Sequence, residues 1–143
     1  MLVAADESIR RAEDPYRVAR LEAADIAVLK VQPLGGVRAS LEVAERIGLP
    51  VVVSSALETS IGIRAGLALA AALPELPYAC GLNTVALLSA DVADPSLLAV
   101  DGTIAVTDLV VDVDLVDRVR AADERAAVWQ ARLVSTRERM EDG

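Results

Sequence analysis

A single lysine stands among thirteen arginines in this chain, at the end of an apolar run. Lys30 belongs to the segment IAVLKV, residues 26–31, which is typical of a buried strand. A lysine in a partly dry position can lose its proton and serve as a base, whereas an arginine stays charged. Lys30 is therefore a candidate for proton transfer. The alternative is an ordinary ion pair, with Asp6 as its partner.

Other polar residues follow the neighbouring apolar runs. Asp6 ends the first run, and its carboxylate could ligate Mg²⁺ or cap the next helix. Ser54 and Ser55 end the third run, and their hydroxyl groups could donate hydrogen bonds to a substrate carboxylate. Glu7 is expected to point away from Asp6 because side chains alternate along a strand. One strand would then not present both carboxylates to one ion.

The composition excludes several classes of function. The chain has no histidine, which removes Ser-His and Cys-His catalysis and every histidine metal site. A net charge of −8 argues against nucleic acid and against anionic membrane surfaces. The one cysteine, the lack of a secretory signal pattern and the shortness of the apolar runs predict a cytoplasmic protein.

Four apolar runs begin near residues 2, 26, 51 and 78, so the period is about 25 residues. Strands that are apolar on both faces and alternate with helices predict a parallel sheet covered by helices. The polar residues would then meet at the carboxyl ends of the strands, where such folds carry their chemistry. We predict an α/β fold over residues 1–100, with about four β/α units, half of a (β/α)8 barrel. Its open sheet edges would favour self-association.

Residues 101–143 are predicted to form a separate C-terminal part. The segment TIAVTDLVV, residues 103–111, is expected to be a strand, and residues 115–140 are expected to be one long helix. Apolar residues on this helix recur with heptad-like spacing, namely Leu115, Val119, Ala122, Ala126, Trp129 and Leu133. This pattern favours a helix packed on the domain's own surface; the alternative is a helix that binds a partner.

Three segments together resemble the enolase superfamily, and within it the actinobacterial o-succinylbenzoate synthases. They are AADES at 4–8, LKVQPLGGV at 29–37 and VVSSALETSIG at 52–62, and the stretch LPYACGLNTVALLSADV at 76–92 is also similar. The resemblance covers about residues 2–106. It implies that the four strands correspond to the fifth to eighth strands of a TIM-type barrel.

The resemblance also implies a chemistry and a set of roles. Enzymes of this superfamily use Mg²⁺ and abstract a proton α to a carboxylate of a small-molecule substrate. By this resemblance Asp6 is a metal ligand, Lys30 acts in catalysis mainly through its charge, and Ser54 and Ser55 line the substrate pocket. The product would be a precursor of menaquinone. The family's Lys-x-Lys motif and two further acidic ligands have no counterpart here, so we predict that the isolated chain is inactive.

Two alternatives stay open at the level of sequence. An N-succinylamino acid racemase or a dipeptide epimerase of the same superfamily would use the same lysine and the same metal geometry. A non-catalytic interaction module, binding a partner through the C-terminal helix, is the alternative of another class.

Overall fold

The computed structural model describes residues 1–11 and 13–141. In chain order the elements are β1 (Ala4–Ala5), α1 (Asp14–Arg20), β2 (Ile26–Lys30), α2 (Val37–Ile47), β3 (Val51–Ser54), α3 (Ser60–Ala72), a 3-10 helix (Thr84–Leu87), α4 (Val113–Arg118) and α5 (Asp123–Glu141). None of the helices in these two ranges has the length and apolar character needed to cross a bilayer.

The three strands form one parallel sheet in the order β1-β2-β3. The register pairs Ala5 with Ala27 and Lys30 with Ser54. Each strand is followed by a helix, so the predicted parallel α/β arrangement is confirmed. Because parallel strands are aligned in direction, the residues that follow β1, β2 and β3 lie along one edge of the sheet.

The two faces of the sheet carry different residues. Ala27, Leu29 and Val53 are fully buried in the main core, together with residues of α1, α2 and α3. Val28, Lys30 and Ser54 lie on the opposite face, as the alternation along a strand requires. In a barrel this opposite face would be the interior. Lys30 projects from this face at the very end of β2, and the carboxyl ends of the strands are where barrel enzymes carry their active sites.

Glycine and proline fix the ends of the helices. Gly35 and Gly36 have φ values of +88° and +120° and form the turn between β2 and α2. Gly48, with φ of +65°, ends α2 in the left-handed conformation. Pro74 follows α3 closely, where a helix cannot continue.

The fourth predicted strand, over residues 78–82, is reduced to one parallel bridge between Ser54 and Gly81. Gly81 donates its N–H to the carbonyl of Val53, and its own carbonyl accepts the N–H of Ser55. No second rung forms within the described chain, because Pro77 and Gly81 are poor strand residues and no further strand lies alongside. Leu82 is nevertheless buried, against Gly66 of α3.

The predicted strand over residues 103–111 is wrong. Only Thr103 pairs with another segment, in an antiparallel bridge to Val100. The apolar residues of the segment are largely exposed, with Val110 at 81%. Apolar content indicated a strand, but a strand needs a hydrogen-bonded neighbour, and this segment has none among the described residues.

The long helix predicted over residues 115–140 is two helices. α4 ends at Arg118, and α5 begins at Asp123. Asp123 and Glu124 favour a new helix start because acidic residues stabilise the first turn. No residue of α5 is buried, so α5 is not packed on the domain's surface as the sequence pattern favoured. The partner-binding alternative and the domain division after residue 100 stay predictions.

Candidate active site

Lys30 and Asp6 meet at the carboxyl edge of the sheet. Asp6 follows β1 directly, and Lys30 is the last residue of the adjacent β2. The Lys30 Nζ lies 2.7 Å from Asp6 Oδ1, and the two side chains are 16% and 43% exposed. Their proximity follows from the parallel pairing of β1 with β2. The contact is also the ion pair that the sequence left open as the ordinary alternative.

Glu7 joins the same group. Its Oε1 accepts a hydrogen bond from Lys30 Nζ at 3.2 Å, and its Oε2 forms an ion pair with Arg10 Nη2. The expectation that Glu7 points away from Asp6 is wrong. β1 ends at Ala5, and the chain turns at residues 6–8, so strand alternation no longer sets the direction of these side chains. Two carboxylates therefore approach one ammonium group.

A small cavity of about 270 Å³ opens beside Lys30. Its lining residues come from the segments that follow all three strands, namely Glu7, Arg10, Lys30, Pro33, Ser55 and Ala56. The cavity has a polar wall with two cations and one anion. A larger, mainly apolar groove of about 590 Å³ lies where α2 and α3 end and β3 begins, with Leu41, Leu49 and Leu73 in its lining. Because the small cavity lies at the carboxyl edge of the sheet and its lining includes Lys30, it is the candidate site.

The two predicted serines hold the loop that carries Gly81. The buried Ser55 hydroxyl donates to the carbonyl of Gly81 at 2.8 Å and accepts from Thr84 Oγ1 at 2.9 Å. The Ser54 hydroxyl, beside Lys30 in the register, donates to the same carbonyl at 3.3 Å. Both hydroxyl groups are engaged within the protein. Their predicted contact with a substrate stays a prediction.

Gln32 and Glu58 converge near the same edge. A Cβ atom on Gly62 would lie 2.8 Å from Glu58 Oε2 and 2.9 Å from Gln32 Nε2. The missing side chain at Gly62 therefore leaves room for these two polar groups. Sequence reasoning gave Glu58 no role, and the signal that could have found it is its position after the third strand, four residues before a helical glycine.

Asp91 lies in a loop 31 residues further along the chain and binds the first residue of α3, Ser60. Its carboxylate accepts hydrogen bonds from the N–H and the hydroxyl of Ser60. Burial opposes ionisation of Asp91, but hydrogen bonds from Ser60, Ser96 and the N–H of Val92 outweigh it and hold its pKa below the usual value. Asp91 thus fixes the start of the helix that follows β3.

The carboxylate of Asp14 likewise fixes the backbone at the start of α1. Asp14 is the first residue of α1. Its Oδ2 accepts the N–H of Arg10 at 3.0 Å and that of Arg11 at 2.8 Å, and these hydrogen bonds hold its pKa below the usual value. The carboxylate therefore fixes the backbone that carries Arg10 to the cavity.

Asp6 supplies a donor atom that could bind a metal ion. Asp6 Oδ1 is buried and has no hydrogen-bond partner, because its contact with Lys30 Nζ lacks hydrogen-bond geometry although the distance is short. One such oxygen could ligate a divalent cation. Mg²⁺ requires several oxygen ligands, and no cluster of three acidic, histidine or cysteine residues able to hold a metal occurs in residues 1–11 and 13–141. These residues fit one ligand of a metal site but not a complete site.

Sequence comparison relates the chain to curated enzymes more than twice its length. The family described as Enolase C-terminal domain-like matches residues 1–110. The o-succinylbenzoate synthase of Thermobifida fusca is 64% identical over 135 residues, which are 94% of this chain and 42% of that protein. The o-succinylbenzoate synthase of Mycobacterium tuberculosis H37Rv is 55% identical over 127 residues, 89% of this chain and 39% of that protein. The chain therefore spans about two fifths of these relatives.

The structure is also similar to solved structures from the enolase superfamily. The muconate lactonizing enzyme from Pseudomonas putida superposes with a TM-score of 0.73 at 29% identity, covering 82% of this chain and 35% of that one. A probable mandelate racemase from Alicyclobacillus acidocaldarius superposes with a TM-score of 0.71 at 32% identity, covering 85% of this chain and 34% of that one. The predicted fold class, part of an enolase-type α/β barrel, is confirmed.

Proposed function

Because the chain belongs to the Enolase C-terminal domain-like family, we propose that it supplies one side of the active site of an o-succinylbenzoate synthase. The observation that carries this proposal is the contact between Lys30 and Asp6 at the carboxyl edge of the parallel sheet, 2.7 Å apart. The names of relatives at 64% and 55% identity support the choice of reaction.

The proposed reaction is a dehydration. A proton leaves the carbon next to a substrate carboxylate, a hydroxide leaves the neighbouring carbon, and the ring becomes aromatic. Negative charge develops on the substrate during proton removal. The ammonium group of Lys30, held at a partly buried position, would stabilise that charge because electrostatic attraction is strong where water is largely excluded.

Asp6 has two proposed tasks. Its carboxylate holds Lys30 in place at the end of β2, and its buried Oδ1 would serve as one oxygen ligand of Mg²⁺. When bound, such an ion would stabilise negative charge on the substrate carboxylate. The remaining ligands would have to come from outside the described residues, so no step is assigned to an ion held by this chain alone.

The proton-abstracting base is also proposed to come from elsewhere. Lys30 is the only lysine of the chain, and it is assigned to charge stabilisation rather than to proton removal. The matched relatives are more than twice as long as this chain, and their further length offers room for the missing groups. On the relatives' names and the single cysteine we further propose a cytoplasmic role in menaquinone synthesis.

A complementation assay tests this proposal. The purified chain is assayed with Mg²⁺ and the cyclohexadienol precursor of o-succinylbenzoate, alone and after coexpression with the part of the Thermobifida fusca enzyme that it does not match. We expect no turnover by the chain alone and formation of o-succinylbenzoate by the combination. Substantial turnover by the chain alone would contradict the division of the site. An inactive combination in which the two pieces bind each other would contradict the proposed reaction.

A further inference from the structure

The candidate cavity has a second cation that the proposed reaction does not use. Arg10 lines the cavity together with Lys30, and its side chain is 68% exposed. Its guanidinium group has five N–H donors, of which the contact with Glu7 engages only a part. Arg10 therefore retains donors that can bind a further anion.

The position of Arg10 is fixed from two sides. The carboxylate of Asp14 binds its backbone N–H at 3.0 Å, and Glu7 binds its guanidinium group. Glu7 in turn accepts a hydrogen bond from Lys30 Nζ at 3.2 Å. The two cations are thus joined through one carboxylate, and they face the same space of about 270 Å³.

The proposed ligand carries two carboxylates, which the two cations Lys30 and Arg10 could bind. The relatives' names contain the compound o-succinylbenzoate. This compound is a dicarboxylate, with one carboxylate on the ring and one at the end of the succinyl chain. The chain carries a net charge of −8, so a dianion needs a local positive site to approach it. Planar guanidinium groups bind carboxylates through two parallel hydrogen bonds.

We propose that Arg10 binds the terminal carboxylate of the substrate's succinyl chain while Lys30 faces the ring carboxylate. This inference rests on the proposed function. Arg10 is then a residue that determines specificity for dicarboxylates, and Glu7 and Asp14 are positioning residues that hold it. A ligand with the ring carboxylate but without the terminal one loses only the contact with Arg10.

The test compares two ligands by calorimetry in the combination of this chain with the unmatched part of the Thermobifida fusca enzyme. One ligand is o-succinylbenzoate, and the other is o-butyrylbenzoate, which lacks the terminal carboxylate. We expect the first to bind about fivefold more tightly or better, and Arg10→Gln to remove that preference by weakening o-succinylbenzoate alone. Arg11→Gln is the matched control, because Arg11 also binds Asp14 through its N–H but does not line the cavity.

The outcomes separate this inference from the proposed function. If the combination binds both ligands and Arg10→Gln keeps the full preference for o-succinylbenzoate, the role of Arg10 is refuted and the proposed reaction stands. Equal loss of preference in Arg11→Gln would likewise refute a specific role for Arg10. If the unmodified combination binds neither ligand, the proposed function fails and this inference fails with it.

Discussion

At the scale of single residues, Lys30 is held by two carboxylates. Asp6 Oδ1 lies 2.7 Å and Glu7 Oε1 lies 3.2 Å from its Nζ. A cation that is largely withdrawn from water requires nearby anions to offset its lost hydration. The two carboxylates therefore fix the ammonium group at the edge of the sheet, where a substrate carboxylate could reach it.

Asp91 gives a prediction about pH. Its pKa is below 3.8 in the folded chain, so its ionised form stabilises the fold above about pH 3.8, and that contribution disappears as the pH falls through the lowered pKa. Asp91→Asn should lower the free energy of unfolding at pH 7 by about 1 kcal/mol, because it replaces one of the two carboxylate oxygens that accept from Ser60 by an amide group that cannot accept. Urea unfolding at pH 7 and at pH 3 measures this.

The difference between Asp91→Asn and the unmodified chain should shrink at pH 3, because below the ordinary pKa of an aspartate the unfolded chain binds a proton more readily than the folded chain does. Asp94→Asn is the control, because Asp94 is exposed and lies in the same loop. It should leave the free energy of unfolding within about 0.5 kcal/mol at both pH values. A difference for Asp91→Asn that is the same at both pH values would contradict the hydrogen-bonded carboxylate.

At the scale of elements, the segment around Gly81 is joined to the end of β3 by two backbone hydrogen bonds and by the hydroxyl groups of Ser54 and Ser55. Ser55→Ala removes a buried hydroxyl that bonds both Gly81 and Thr84. We expect it to lower the free energy of unfolding by about 1–2 kcal/mol, because buried partners lose their hydrogen bonds. Thermal or urea unfolding of the purified variant is the measurement.

Ser54→Ala is the matched control for this prediction. Ser54 is only half-buried, and its hydrogen bond to the same carbonyl is longer, at 3.3 Å. Its removal should cost less than about 0.5 kcal/mol. Equal losses for the two variants would show that Ser55 has no special part in holding the fourth unit.

The elements also show how far the sequence could predict the fold. The strands near residues 26 and 51 and the helices α2 and α3 were predictable because apolar periodicity, Gly35, Gly48 and Pro74 all indicated the same boundaries. The strand at 103–111 was not, because local apolar content does not reveal whether a pairing strand exists. The break between α4 and α5 was missed because heptad spacing continues across it.

The candidate site was likewise predictable only in part. The proximity of Lys30 and Asp6 follows from strand order and direction, which the β/α period already indicated. The direction of Glu7 depends on where β1 stops, and the sequence fixes strand ends poorly. Arg10 was missed because its place at the cavity depends on hydrogen bonds to Asp14 and on the turn after β1.

At the scale of the whole molecule, α5 contributes little to the stability of the chain. It has no buried residue, and Trp129, the only tryptophan, is 56% exposed. A chain that ends after Ala122 should keep its free energy of unfolding within about 0.5 kcal/mol. Urea unfolding followed by circular dichroism measures this, with Leu82→Ala as a destabilising reference that should lose about 2–4 kcal/mol. A loss in the truncated chain as large as that of Leu82→Ala would show that α5 packs on the domain.

The three-stranded parallel sheet corresponds to one side of an enolase-type barrel. Its described residues place Lys30, Asp6, Glu7 and Arg10 at one edge but include no group of three residues able to hold a metal ion. The matched relatives extend well beyond the length of this chain. The proposed function therefore requires Lys30 to act at a site that further residues complete.

The most direct test of that claim is the rate of o-succinylbenzoate formation by the combined pieces with Lys30→Met. Loss of one preorganised positive group should lower the rate by about a hundredfold or more, while the two pieces bind each other with unchanged affinity. Arg38→Met, which removes an exposed cation on α2, should keep the rate within about twofold. A rate for Lys30→Met as high as that of Arg38→Met would contradict the account.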